Sequence, residues 1–499
     1  MINSEDRPPV RTANAQASSS MRSRVGLLLG PALFALVLVT PPPLGVPDPA
    51  WRVAAVALWM AAWWVTEAIP LAATALLPLV LFPLLGIASI DAAAAPYANS
   101  VIFLFMGGFL LAAAFERCGL HRRMALAMVR LGGTGPRQLV GSFMVATAFI
   151  SLWVSNTATV AMLLPIAMSL VDLVEERADF SPATGDRSHH NFAVALLLGL
   201  AYAANIGGLG TPIGTPPNAL LVGYMAESFG RRIGFLEWML FGVPLVVVGL
   251  PLAWLLLTRV FFPVGAERIA GGREAIVAQA RALGRMSRAE WTVGVVAALT
   301  AAAWMTQPLL ARVVPGTSDA GIAISAALVL FLIPVGKRGE RALGWDATGR
   351  VPWDVLVLFG GGLSLANGIQ QTGLAVTIGK SAAAAGTMPI ALVVLVVTAL
   401  VVFLTELTSN TAVAAALLPV VTALAVAIGG DPMLLAVPTV LAASCGFMMP
   451  VGTPPNAMVY GTGRIRMPEM LKAGLATNLL FIVLIAVTTL VVVPMVLKR

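Results

Sequence analysis

Charge is scarce in this chain: Asp, Glu, Lys and Arg together make up 11% of its 499 residues, against roughly a quarter in soluble domains. So few ionisable groups cannot cover the surfaces that a water-soluble chain of this length requires. Cysteine is nearly absent, and Cys118 and Cys445 lie far apart in apolar sequence, which excludes a disulfide framework. The three histidines, His121, His189 and His190, have no metal-ligand spacing. No nucleophile motif, nucleotide-binding glycine loop or His/Asp/Cys cluster occurs, so an enzyme is not expected. Period-two alternation is missing too, which excludes a transmembrane β-barrel.

Apolar sequence is what the chain has in quantity. Apolar residues make up 59% of it, its mean hydropathy is +0.90, and runs of about 20 residues recur almost throughout. This is the composition of an all-α polytopic membrane protein. The net charge of +8 does not imply a nucleic-acid partner, because the arginines sit between apolar runs and read as topology signals. Lipid is the expected surrounding.

Full spans are expected near 25–42, 51–68, 70–88, 100–118, 192–225, 238–262, 291–307, 319–336, 353–371, 433–463 and 470–496. Segments 137–174 and 387–428 differ in kind, each being about two spans' worth of apolar sequence interrupted at its centre. The interruptions are Ser155-Asn156-Thr157 and Ser409-Asn410-Thr411. Two half-helices meeting at a polar tip, a re-entrant hairpin, fit this better than one helix. Eleven crossings remain. With the N-terminus inside, 24 Lys and Arg fall in cytoplasmic segments and seven outside, with Arg231-Arg232 the one local exception. That bias predicts a cytoplasmic N-terminus and an external C-terminus in the cytoplasmic membrane. Residues 1–24 read as a disordered cytoplasmic tail, and the Pro41-Pro42-Pro43 end of the first run argues against a cleaved signal peptide.

The chain also repeats itself. Phe105-Met106-Gly107-Gly108, Gly119-Leu120, Ser155-Asn156-Thr157-Ala158 and Pro165 recur 254 residues later, as Phe359-Gly360-Gly361-Gly362, Gly373-Leu374, Ser409-Asn410-Thr411-Ala412 and Pro419. Gly214-Thr215-Pro216-Pro217-Asn218 recurs 238 residues later as Gly452-Thr453-Pro454-Pro455-Asn456, the difference falling in the Glu175–Asn191 loop. About five helices plus one hairpin per copy is an odd number of crossings, so the copies are expected to be inverted. Inverted repeats with matching broken helices are the pattern of secondary transporters, with the site at the repeat interface.

The motifs have chemistry to match. A half-helix starting just after a tip aims unpaired N–H groups and its positive dipole end at whatever sits there. Ser, Asn and Thr add donors and acceptors suited to a carboxylate or a small hard cation, although the same residues also serve as plain helix caps. The Pro-Pro breaks free backbone carbonyls at membrane depth, to hold an ion or simply to kink the helix. Ser151 and Thr405, each four residues before a tip, either present a second oxygen to an ion or bond back to their own helix. No Lys or Arg lies in any of the four motifs, so a bound anion there calls for a coupling cation. Glu67 reads as an interfacial or packing residue, and Glu406 as a proton site, an orienting group or packing. Trp63-Trp64 reads as an interface anchor.

At these residues the chain resembles the divalent anion/sodium symporter family, the INDY-type sodium-coupled dicarboxylate transporters. The resemblance runs from Trp51 onward. Its motifs are Trp63-Trp64-Val65-Thr66-Glu67-Ala68-Ile69-Pro70, both Ser-Asn-Thr tips, both Gly-Thr-Pro-Pro-Asn breaks, and Thr405-Glu406. It implies a homodimer that works as an elevator, with scaffold segments 25–136 and 291–386, transport segments 137–262 and 387–499, and a cytoplasmic linker at 263–290. It implies no cofactor, with Na+ as the coupling ion at two sites. One would use Ser151, Ser155, Asn156 and the Gly214 carbonyl. The other would use Thr405, the Thr408 carbonyl, Asn410 and the Gly452 carbonyl. Ser155, Asn156, Thr157, Ser409, Asn410 and Thr411 would hold a small dicarboxylate of the succinate, malate or fumarate type, with Thr215 and Pro454 nearby. The competing readings are a dicarboxylate exchanger or a sulfate carrier on the same scaffold. A channel is disfavoured by midplane motifs closed by two hairpins.

Overall fold

A computed structural model describes residues 13–133, 135–178, 186–265, 272–336, 339–377 and 388–497. Residues 1–12 of the expected tail, 179–185 of the Glu175–Asn191 loop and 266–271 of the linker lie outside the described residues. Among the described residues the chain is helical, with one isolated bridge between Pro334 and Arg341 and no strand.

The first copy of the repeat is preceded by α1 (Ala13–Val39) and comprises α2 (Asp48–Thr66), α3 (Leu77–Leu84), α4 (Ser100–Cys118), α5 (Leu120–Leu131), α6 (Pro136–Ser151), α7 (Asn156–Ala178), α8 (Asp186–Gly208), α9 (Pro216–Phe229) and α10 (Phe235–Leu255). The second comprises α11 (Arg288–Met305), α12 (Asp319–Leu332), α13 (Trp353–Gln371), α14 (Ile390–Thr405), α15 (Asn410–Ala427), α16 (Met433–Ala443), α17 (Pro454–Tyr460) and α18 (Met467–Val487). Each Ser-Asn-Thr tip separates two helices, α6 from α7 and α14 from α15, and α7 and α15 are each long and apolar enough to cross a membrane. Both proline breaks form as well, as α8/α9 and α16/α17. α10 and α18 each run on into a π-helical segment, Leu256–Phe261 and Thr488–Val492, a further pair of matching features.

Seven described helices are long and apolar enough to cross a membrane, or up to eight if the bent pair Arg288–Met305 and Gln307–Val313 is one span. The count falls short of eleven because the breaks and the shorter apolar helices divide other apolar runs into pieces. Helix α1 also starts earlier than expected, inside segment 1–24. Arg22 of this helix donates to the Leu407 carbonyl at 2.7 Å and to the Val65 carbonyl, and so covers acceptors left free at the second tip and near the end of α2.

The repeated glycine motifs are packing devices. A Cβ on Gly107 would stand 2.6 Å from the Ala323 backbone, and one on Gly361 would stand 2.1 Å from the Ala75 carbonyl oxygen. Only glycine lets α4 approach α12, and α13 approach the turn before α3, so closely. Phe105 and Phe359, equivalent residues of the two copies, meet edge to face with ring centroids 5.5 Å apart. Gly119 and Gly373 end α4 and α13 in the same left-handed conformation, at φ 75° and 77°.

Trp64 is fully buried and donates from Nε1 to the Leu71 carbonyl at 3.2 Å, while Trp63 stacks edge-on with Trp59 at 5.1 Å. Both serve in helix packing rather than as an interface anchor, Trp63 against α1 beside Gly30 and Trp64 toward Leu71.

Candidate functional site

The two tips and the two breaks meet at one cavity of about 530 Å³. From the first copy it is lined by Ser155, Asn156, Thr157, Gly214 and Thr215, and from the second by Ser409, Asn410, Thr411, Gly452 and Pro454. Helices α7 and α15 begin at the tips, and α9 and α17 at the breaks, so four helix starts border the same space. Only α7 and α15 bring free N–H groups to it, because α9 and α17 open with Pro216-Pro217 and Pro454-Pro455, which have none. The breaks are held open alike. Asn218 Nδ2 donates to the carbonyls of Gly208 and Thr211 at 3.0 and 2.8 Å, and Asn456 Nδ2 to those of Gly446 and Met449 at 3.0 Å each. The last residue of each Gly-Thr-Pro-Pro-Asn motif is thus a staple across its own break.

Behind each tip lies a cluster of oxygens. Ser151 Oγ sits 2.5 Å from Asn156 Oδ1 and 2.8 Å from the Ala204 carbonyl oxygen. Thr405 Oγ1 sits 2.7 Å from Asn410 Oδ1 and 2.7 Å from the Ala443 carbonyl oxygen. Both hydroxyls are fully buried, and both reach the neighbouring helix instead of bonding back to their own. One hydroxyl hydrogen cannot serve two acceptors at once. Each cluster is therefore rich in oxygen and short of hydrogen, the chemistry of a hard-cation site. The first cluster also has a cradle that a methyl group would fill. A Cβ on Gly208 would lie 2.8 Å from Asn156 Oδ1 and 3.2 Å from the Gly214 carbonyl oxygen. Thr408 is buried close to the second cluster, with its hydroxyl bonded back to the Leu404 carbonyl at 3.1 Å. Ser155 also caps α7, accepting from Ala158 N at 3.3 Å, whereas Ser409 makes no such bond.

Reciprocal bonds tie the copies together. Asn205 Nδ2 donates to Thr453 Oγ1 at 3.0 Å, and Ser444 Oγ pairs with Thr215 Oγ1 at 3.3 Å. Asn205 is 1% exposed and is also 3.4 Å from Asn156 Nδ2. A lone asparagine inside the apolar run of α8 was the signal that could have found it. Arg350, Glu116 and Glu67 line the cavity as well. Arg350 gave no signal in sequence. It reaches the cavity because Arg117 pairs with Asp346 at 3.0 Å and ties the preceding turn to α4. Glu67 is the one non-glycine among the described residues with positive φ, at 50°. Glu406 does not line the cavity. It clamps the second break, with Oε1 accepting from Phe447 N, Met448 N and Asn478 Nδ2 and Oε2 from Met449 N, at 2.7–2.9 Å.

An all-helical membrane chain whose broken helices turn their N-termini on one polar cavity is a membrane carrier, not an enzyme. The chain belongs to the sodium:sulfate symporter family, whose transmembrane-region model matches residues 22–497. It is 42% identical over 480 residues to the sodium-dependent dicarboxylate transporter SdcS of Staphylococcus saprophyticus, covering 95% of this chain and 92% of that one. It is equally similar, over 479 residues, to SdcS of Staphylococcus aureus. Among solved structures it resembles the YdaH transporter of Alcanivorax borkumensis, with TM-score 0.55, 17% identity, and 95% and 97% of the two chains covered. MtrF of Neisseria gonorrhoeae also scores 0.55, at 12% identity, with 93% and 97% covered. At these identities the structural likeness speaks for the fold alone.

Proposed function

We propose that this protein is a sodium-coupled symporter of small C4-type dicarboxylates, working in the cytoplasmic membrane. The observation that carries the reading is the convergence of both Ser-Asn-Thr tips on one cavity, each backed by a buried oxygen cluster. The substrate's two carboxylates engage the tips through Asn156, Thr157, Asn410 and Thr411 and the N-termini of α7 and α15. Each helix end offers only about half a charge, and no motif carries Lys or Arg, so sodium balances the dianion. One ion takes Ser151, Ser155, Asn156 and the Gly214 carbonyl. The other takes Thr405, the Thr408 and Gly452 carbonyls and Asn410. The names of the 42%-identical relatives favour a dicarboxylate over sulfate.

The same reading makes the chain an eleven-span, inverted-repeat elevator and a homodimer. In support, eleven crossings follow if α8/α9 and α16/α17 each count as one broken span and α3 and α12 also cross. The tips pack with the broken helices, α10 and α18, and α4 packs chiefly with α12 and also with α11, while α9 and α15 meet α13 across the two proposed domains. Proteoliposomes tested with labelled succinate are expected to accumulate it under an inward sodium gradient and not under a potassium gradient of the same size. Exchange of internal for external succinate without sodium, and no net uptake, would overturn symport in favour of the exchanger.

Orientation has its own test. A cysteine introduced at Arg281 is expected to react with impermeant thiol reagents from the cytoplasmic side only, and one at Val496 from outside only. The opposite pattern rejects the N-in, C-out assignment.

A further inference from the structure

The two oxygen clusters match in geometry but not in charge. Glu406 follows Thr405 directly and is 3% exposed. Its four hydrogen-bond partners are the N–H groups of Phe447, Met448 and Met449 and the Asn478 side-chain amide. All four are donors and none carries a charge, which is the environment of a carboxylate rather than of a carboxylic acid. The carboxylate also lies beside Gly452. A Cβ on Gly452 would stand 2.9 Å from Glu406 Oε2, and the Gly452 carbonyl is one of the oxygens assigned to the second ion.

The equivalent position in the first copy, 254 residues earlier, is Leu152. Leu152 occupies the same place against its own break, since a Cβ on Gly210 would meet its Cδ2 at 2.3 Å. There the break is held by neutral groups instead. Thr211 Oγ1 donates to the Leu152 carbonyl at 2.6 Å, and Trp238 Nε1 to the Leu209 carbonyl at 3.0 Å. A charged clamp stands in one copy and an uncharged clamp in the other.

We propose that Glu406 makes the two sodium sites unequal, so that the site behind the second tip fills without substrate while the site behind the first fills together with the dianion. This inference rests on the sodium-site reading above. A buried carboxylate without a cationic partner is costly, and a cation bound beside it recovers part of that cost. The first cluster has only neutral oxygens, and the charge that favours an ion there arrives with the substrate. Glu406 is a positioning residue in this scheme, acting through its field and through the break that it holds. At a few ångströms and intermediate polarity, one unit charge is worth about tenfold or more in sodium affinity.

The test is a sodium titration of the thermal unfolding midpoint of the purified protein without dicarboxylate, with choline chloride holding ionic strength constant. The unmutated protein is expected to be stabilised saturably by sodium. Thr405→Ala and Glu406→Gln should each raise the half-saturating sodium concentration about tenfold or more. Ser151→Ala should move it by less than about twofold, yet still impair sodium-driven uptake once succinate is present. Glu406→Gln should change the succinate KM at saturating sodium less than it changes the sodium constant. Asn478→Ala, which disturbs the clamp but keeps the charge, should shift the sodium constant less than Glu406→Gln does. Equal shifts from Ser151→Ala and Thr405→Ala would overturn the proposal even if Glu406→Gln fails to fold. So would sodium and succinate constants that move together in Glu406→Gln, the mark of a purely structural role. A saturable sodium effect missing from the unmutated protein would instead strike the sodium-site reading itself.

Discussion

Alanine at Asn156 or at Asn410 is expected to reduce sodium-driven succinate uptake about 100-fold or more, in each single variant, at unchanged surface expression. Each amide does two jobs. Its Oδ1 completes an oxygen cluster, 2.5 Å from Ser151 Oγ in one copy and 2.7 Å from Thr405 Oγ1 in the other. It is also the first residue of the half-helix whose N-terminus faces the cavity, within reach of a carboxylate. Truncation removes an ion ligand and a substrate contact together, and it leaves the buried hydroxyl with one acceptor fewer. Two losses on that scale combine because they act on linked binding steps. Radiolabelled uptake, normalised to protein at the surface, measures the effect. Normal uptake by either variant would falsify the tip assignment.

The second large effect is steric, and it differs between the two copies. Gly214→Ala would place a Cβ 2.4 Å from the Gly208 carbonyl oxygen, and Gly208→Ala would place one 2.8 Å from Asn156 Oδ1. At Gly214 the obstacle is backbone, which cannot yield without spreading the oxygens of the break, and at Gly208 it is the Asn156 amide, which would have to leave the cluster, so both variants are expected to lose uptake nearly completely. The same substitutions should cost about 1–3 kcal/mol of stability, as overpacking generally does. Gly446 is the second copy's equivalent of Gly208, and a Cβ there would meet the Gly452 carbonyl oxygen at 3.4 Å, an ordinary contact. Gly446→Ala is therefore expected to keep most of its uptake. Uptake assays with a thermal melt on each purified variant separate the two cases, and equal behaviour of Gly208→Ala and Gly446→Ala would reject the cradle geometry.

Much of this architecture is written locally in the chain. The ends of α4 and α13, 100–118 and 353–371, coincide with the spans read from apolar runs and their polar punctuation. Both tips and both breaks also stand where Ser-Asn-Thr and Gly-Thr-Pro-Pro-Asn interrupt apolar sequence. These features are legible because a helix end, a proline and a run of apolar residues act through their immediate neighbours. The duplication adds to this, since a motif that is ambiguous once has one consistent meaning when it recurs at a fixed offset.

What remained open was set by distant segments. Ser151 and Thr405 turn from their own helices because the ends of α8 and α16 offer the Ala204 and Ala443 carbonyls. Glu406, with three sequence readings, is a clamp because the loop at 447–449 wraps it with N–H groups some 40 residues away along the chain. Asn205 and Arg350 join the cavity through contacts between segments far apart in sequence. By itself the sequence determined a helical membrane protein, its duplication and the four polar interruptions, all of which follow from local backbone chemistry and hydropathy. Only the tertiary structure decided which oxygens face one another and which copy carries the buried charge, because direction and distance between side chains arise when separate helices pack.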